Sequence, residues 1–133
     1  MDRDEIEQRL REHFAAAATG IAAVYLYGSV ARGTAGPGSD VDVAVLMTAD
    51  PPPTFAALLL DLEGELEARL RLPVQVVVLN RAPVDLVHRV LRDGRLVADL
   101  DRPARIRFEV RARNEFFDLE PFLRRYRRLE ERR

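Results

Sequence analysis

The sequence predicts an α/β fold, a small mixed β-sheet flanked by helices, and three observations carry that expectation. First, short apolar runs at 21–27, 41–47 and 74–79 are rich in β-branched residues and are bounded by Gly, Pro or Asn. Second, segments with apolar residues three or four apart lie before, between and after these runs. Third, 133 residues at 47% apolar composition suffice for one core and are too few for two ordinary ones. The whole chain, 1–133, is therefore expected to be a single domain, with 103–133 a C-terminal helical segment.

Taken in order, residues 3–17 read as a helix, with Ile6, Leu10 and Phe14 on one face and Asp2 or Asp4 to cap its start. Thr19-Gly20 ends it. The run IAAVYLY (21–27) is a buried strand, followed by a glycine-rich loop at 28–39 and a second strand, VDVAVLM, at 41–47. The order strand, loop, strand makes an antiparallel pair possible. Three consecutive prolines, Pro51 to Pro53, break the chain. Leu58, Leu62, Leu66 and Leu70 then form the stripe of a core-facing helix over 55–70. A third strand follows at 74–79, apolar on both faces apart from Gln75, and Asn80 to Pro83 turns the chain. Residues 84–93 form an amphipathic helix stopped by Gly94, and Leu96-Val97 a brief edge strand. From Pro103 onward the pattern is helical, with an interruption expected near Pro121.

Composition excludes several classes. A net charge of −1 gives no general pull toward nucleic acid or anionic lipid, and no apolar run approaches 18 residues. The N-terminus is charged and unlike a signal peptide; with no Cys, the chain fits a reducing cytoplasm. All 21 basic residues are Arg, whose planar fork suits anion contacts.

The most informative segment runs from Gly28 to Val43. Gly28-Ser29 leaves the first strand, a glycine-rich loop follows, and Asp40-Val41-Asp42 opens the second strand. Residues i and i+2 of a strand project to one face, so the carboxylates of Asp40 and Asp42 point together. Magnesium is usually held by one or two such carboxylates plus substrate phosphates. Gly28 lets the backbone approach a phosphate, Ser29 adds a hydroxyl and an N–H, and Arg32 brings charge. Asp-x-Asp alone is common turn chemistry; joined at this spacing to Gly-Ser, with each on an apolar strand, it is a strong signal.

Gly28-Ser29, ten residues, then Asp40-Val41-Asp42 resembles the signature of the DNA polymerase β-like nucleotidyltransferases. Ala31-Arg32-Gly33-Thr34 and Ser39 to Val45 are similar to the minimal nucleotidyltransferase branch. The likeness continues through Leu79 to Pro83 and the helix up to Gly94, and includes Phe108 to Arg113 and Phe117 to Leu119. The resemblance implies a polymerase β palm-like nucleotidyltransferase fold and ATP as substrate with two Mg²⁺ ions. It further implies nucleotidyl transfer to a hydroxyl, and a partner HEPN-domain ribonuclease toxin whose tyrosine is adenylylated. Asp40 and Asp42 would be the metal ligands and catalytic acids; Gly28, Ser29, Arg32 and Ser39 would contact nucleotide.

One position departs from that pattern. The family's third carboxylate falls on Gln75, which ligates only through its carbonyl oxygen and cannot act as a base. Its loss is expected to slow chemistry more than it weakens nucleotide binding. Asp99 and Asp101 are the nearest acids available for rescue, and Gln75 itself is expected to face the cleft, because a buried amide needs partners. His13 and His88 share no ligand spacing and read as helix-surface residues; Tyr25 and Tyr27 read as core or rim. The tail Arg124, Arg125, Arg127, Arg128, Arg132 and Arg133 reads as a solvated helix face, with Phe116, Phe117, Phe122 and Tyr126 available to the core or to another chain.

The expected function is an antitoxin that transfers AMP from ATP to a tyrosine hydroxyl of its toxin. The alternative is a catalytically weakened relative that neutralises the toxin by binding. A kanamycin-type small-molecule nucleotidyltransferase is disfavoured, since 133 residues leave no second domain for an acceptor pocket.

Overall fold

The computed structural model describes residues 1–17 and 20–131. Its elements are α1 (Arg3–Ala17), β1 (Ile21–Tyr27), α2 (Gly28–Arg32), β2 (Val41–Met47), α3 (Phe55–Leu70), β3 (Val74–Val78), a 3₁₀ turn (Leu79–Arg81), α4 (Val84–Asp93), β4 (Arg95–Asp99) and α5 (Arg102–Glu131). The strands form one mixed sheet in the order β3-β2-β1-β4. β1 runs antiparallel to both β2 and β4, while β2 and β3 are parallel and joined through α3.

Alternation along the strands divides the apolar residues between two faces. Val24, Leu26, Val41, Val43 and Val45 pack with Ile6, Leu10 and Phe14 of α1 and with Leu66 and Leu70 of α3. Ala23, Tyr25, Ala44 and Leu46 pack with Val87 and Val90 of α4 and Phe108 of α5. Glu7 of α1 is 4% exposed, yet it is matched by Arg11 one turn along the same helix and by Arg95, whose guanidinium ties α1 to β4. On the other face Tyr25 donates to Glu109 Oε1 at 2.6 Å, and Arg105 bridges Glu109 and Asp99, fixing α5 to β1 and β4.

β3 is an edge strand, and two of its outward N–H groups are capped. Glu67 and Glu63 of α3 accept from Val74 N and Val76 N at 3.1 and 2.9 Å, one helical turn matching two strand residues. Asn80 ends β2: its amide exchanges two hydrogen bonds with the backbone of Met47, at 2.8 and 3.1 Å.

Several expectations are corrected. The segment after β1 is not loop from residue 28 onward; its first five residues form α2, because Val30 and Ala31 bury against the core and Gly33, at φ 74°, closes the turn. The third strand stops at Val78, and Leu79 begins the 3₁₀ turn. The brief strand at 96–97 is a full five-residue β4. Pro121 does not interrupt the last helix. It sits inside α5, which is held on either side by stacking of Phe116 on His88 (3.5 Å between ring centroids) and by Arg127 on Asp85 at 3.0 Å. The expected end of the first helix at Thr19, and Arg132 and Arg133, lie outside the described residues.

Candidate active site

Register places three side chains in one row across the sheet. Asp42 on β2 pairs with Tyr27 on β1 and with Gln75 on β3, and paired residues share a face. This row lies on the α4/α5 face, beyond the apolar residues that those helices cover. Gln75 is exposed there, which relieves its amide of any need for internal partners.

Gly28 backs directly onto Asp42. It adopts φ +73°, and a Cβ built on it would overlap the Asp42 carboxylate and lie 3.1 Å from Cγ. Both the backbone conformation and the close approach require glycine. The Gly28-Ser29 turn and the Asp42 carboxylate thus share one wall. Burial of Val30 and Ala31 leaves Ser29 and Arg32 on the outward side of α2, toward the same hollow.

That hollow measures about 360 Å³. Tyr27, Gly28, Ser29, Arg32 and Asp42 form one side. The other is α4, where Leu86, Arg89 and Arg92 follow at three-residue spacing on the flank of the helix beside the buried Val87 and Val90, with Asp93 at its end. Arg89 and Arg92 escape a reading of the sequence that looks for Gly-Ser and Asp-x-Asp. Their signal is the spacing Arg-x-x-Arg just before Gly94.

The electrostatics are those of an anion-rich rim facing a cationic wall. Burial raises the Asp42 carboxyl above the usual range, the neighbouring Asp40 raises it further, and Arg32 opposes them. Tyr27 is raised likewise, by burial and then by the charge of Asp42, with Arg89 opposing. Asp40 is exposed at the mouth of the strand. Neither Asp40 nor Asp42 joins an ion pair among the described residues. Two adjacent carboxylates, one partly buried and neither matched by a cation in contact, suit a hard divalent ion shared with phosphate. Among the described residues no group of three His, Cys, Asp or Glu is placed to hold a metal, so Gln75 has no acid standing in for it.

Asp40 and Gln75 lie beside the hollow without lining it, and three other residues lie elsewhere. Ser39 closes its own turn, with its Oγ accepting from Gly36 N at 3.0 Å, and it borders a separate hollow beside the start of α1. Asp99 pairs with Ala23 at the opposite end of β1 from Tyr27 and binds Arg105, while Asp101 caps α5 through Ala104 N at 3.2 Å. Neither acid reaches Asp42, and rescue of the third position from that loop is ruled out by the length of β1.

The chain matches the family model described as Polymerase beta, Nucleotidyltransferase over residues 8–103. No curated protein sequence matches it significantly. Solved structures do. A chain from a toxin–antitoxin crystal structure with AMP-PNP aligns at TM-score 0.74 and 24% identity, covering 94% of this chain and 96% of that one. A chain from the complex of tri-AMPylated Shewanella oneidensis HEPN toxin with MNT antitoxin aligns at TM-score 0.70 and 21% identity, covering 97% of each. A structure assigned to a minimal nucleotidyltransferase is 30% identical at TM-score 0.57, over 71% of this chain and 95% of that one. Over most of its length, and with Asp40, Asp42 and Gly28-Ser29 inside the matched span, the chain belongs to the polymerase beta nucleotidyltransferase family.

Proposed function

We propose that this chain is a nucleotidyltransferase antitoxin of the cytoplasm, which binds ATP with magnesium beside Asp42 and transfers AMP to a tyrosine hydroxyl of a HEPN-domain toxin. The observation that carries the reading is the contact of the Gly28 turn with the Asp42 carboxylate, which joins a cation site and a phosphate site in one hollow. The solved relatives found with AMP-PNP and with AMPylated toxin support the substrate and partner classes.

In the transfer, the phenolic oxygen of the acceptor bonds to the α-phosphorus, the bond from that phosphorus to the pyrophosphate breaks, and the phenolic proton leaves to solvent. Asp40 and Asp42 would hold magnesium, which supplies charge neutralisation of the triphosphate when bound. Gly28 and Ser29 bring the backbone and a hydroxyl to the phosphates, and the arginines take up their charge. Gln75 orients by its carbonyl oxygen but accepts no proton. Binding therefore survives better than chemistry, and transfer is slow.

The position of Gln75 in register with Asp42 favours a second reading, in which the chain neutralises its partner by occlusion. Co-purification with the product of the adjacent gene, followed by intact mass, separates the two. Partial addition of one AMP residue to the partner, abolished by Asp42→Asn in an intact complex, supports transfer. A complex with no added mass supports occlusion, and absence of any complex rejects both.

A further inference from the structure

We propose that Arg32, Arg89 and Arg92 form a polyphosphate clamp, and that Asp93 is an internal stand-in for phosphate which the incoming anion displaces from Arg92. The inference rests on the nucleotide-binding reading above and extends it to residues of α4.

The Arg92 guanidinium grips Asp93 through a two-bond fork, Nε to Oδ1 at 2.9 Å and Nη2 to Oδ2 at 2.8 Å. A phosphate presents two oxygens to arginine in that same way. Successive residues of a helix do not face one another, so this pairing is available only because Asp93 is the last residue of α4 and its side chain turns back along the hollow. The backbone beneath it is fixed. Gly94 N donates to Val90 O at 2.8 Å, and a Cβ at Gly94 would collide with that carbonyl and lie 3.3 Å from Leu26 O. The end of α4 is thereby pressed against β1 next to Tyr27 and Gly28, while the side chains of Arg92 and Asp93 stay partly exposed.

Charge completes the case. The hollow is lined by three arginines and two carboxylates, Asp42 and Asp93. The Asp93 carboxyl is held below the usual range by its hydrogen bonds from Arg92 and by the charges of Arg92, Arg32 and His88. An exposed ion pair between neighbours contributes little, so an anion carrying several charges takes its place. Release of Asp93 from Arg92 then leaves Arg89 and Arg92 facing the wall on which Asp42, Arg32 and the Gly28-Ser29 turn lie.

Titration calorimetry with inorganic tripolyphosphate and with ATP, each with magnesium, tests the proposal on the full chain. Asp93→Asn is expected to tighten tripolyphosphate several-fold, and Asp93→Ser to do the same. Arg89→Gln and Arg92→Gln are each expected to weaken it about tenfold, the loss of one charge-assisted contact. Unchanged or weaker binding by both Asp93 variants overturns the stand-in, and unchanged binding by both arginine variants overturns the clamp. If tripolyphosphate follows this pattern while ATP fails to bind, the clamp stands and the nucleotide reading falls.

Discussion

The two faces of the sheet are built from the same strands and end differently. On the α1/α3 face, Val41, Val43 and Val45 of β2 are all buried, and Leu10, Leu66 and Leu70 pack over them. On the α4/α5 face, Ala44 and Leu46 are covered but Asp42 is not, because α4 spans only Val84–Asp93 and turns its Arg89 and Arg92 toward the gap. One face spends its side chains on stability. The other stops short, and at its uncovered end burial and the neighbouring Asp40 raise the Asp42 carboxyl above the usual range.

The contrast is broken most severely at Asp42. Asp42→Asn is expected to reduce AMP transfer by about 10²–10³-fold in a labelled-ATP assay, while the melting temperature does not fall. On the α1/α3 face the reverse holds: Leu66→Ala, from a fully buried site, is expected to cost about 3 kcal/mol and lower the melting temperature by ~10 °C. Gly28→Ala joins the two effects. The strained backbone and the collision with Asp42 are expected to cost about 1–3 kcal/mol and to move the carboxylate, so that transfer falls as well. Gln75→Asp restores an acid in the row and is expected to raise transfer about tenfold or more at little cost in stability, because the site is exposed. A fall in rate on that substitution would show that position 75 does not serve the chemistry.

The smallest expected effect is on pH dependence. The folded protein holds the Asp42 proton more tightly than the unfolded chain does, through burial and Asp40. Asp42 therefore weakens the fold as pH rises from the ordinary carboxylate range through its own raised value, and the loss levels off above that. Asp42→Asn should melt with wild type at acid pH and slightly above it at neutral pH. Magnesium should raise the wild-type melting temperature and leave the variant unmoved.

Much of the fold was legible because its signals are local. The stripe Leu58, Leu62, Leu66, Leu70 announces α3, although Leu58 itself stays exposed, and the breaker Pro51 to Pro53 and the stop at Gly94 set boundaries that the structure keeps. What misled was also local. Residues 28–39 read as loop, yet burial of Val30 and Ala31 made the first five residues into α2, and the stretch from Gly33 onward is loop as expected. Pro121 read as a break, yet contacts to His88 and Asp85 carry α5 across it. The pairing of Gly28 with Asp42 was readable from two short motifs. The arginines opposite them were not, since nothing near Arg89 in sequence states which strand end α4 will cover.

The chain's own order of residues determined which side chains share a face: period-two alternation puts Asp42 with Ala44 and Leu46 and apart from the valines, whatever surrounds the strand. Only the tertiary structure decided that Tyr27 and Gln75 flank Asp42, that Asp99 stands too far away to help, and that α4 closes the hollow with Arg89 and Arg92. Facing is a property of the backbone repeat, fixed within a few residues. Register and helix placement are set by burial between segments far apart in the chain, where many weak contacts choose jointly and no single motif speaks for them.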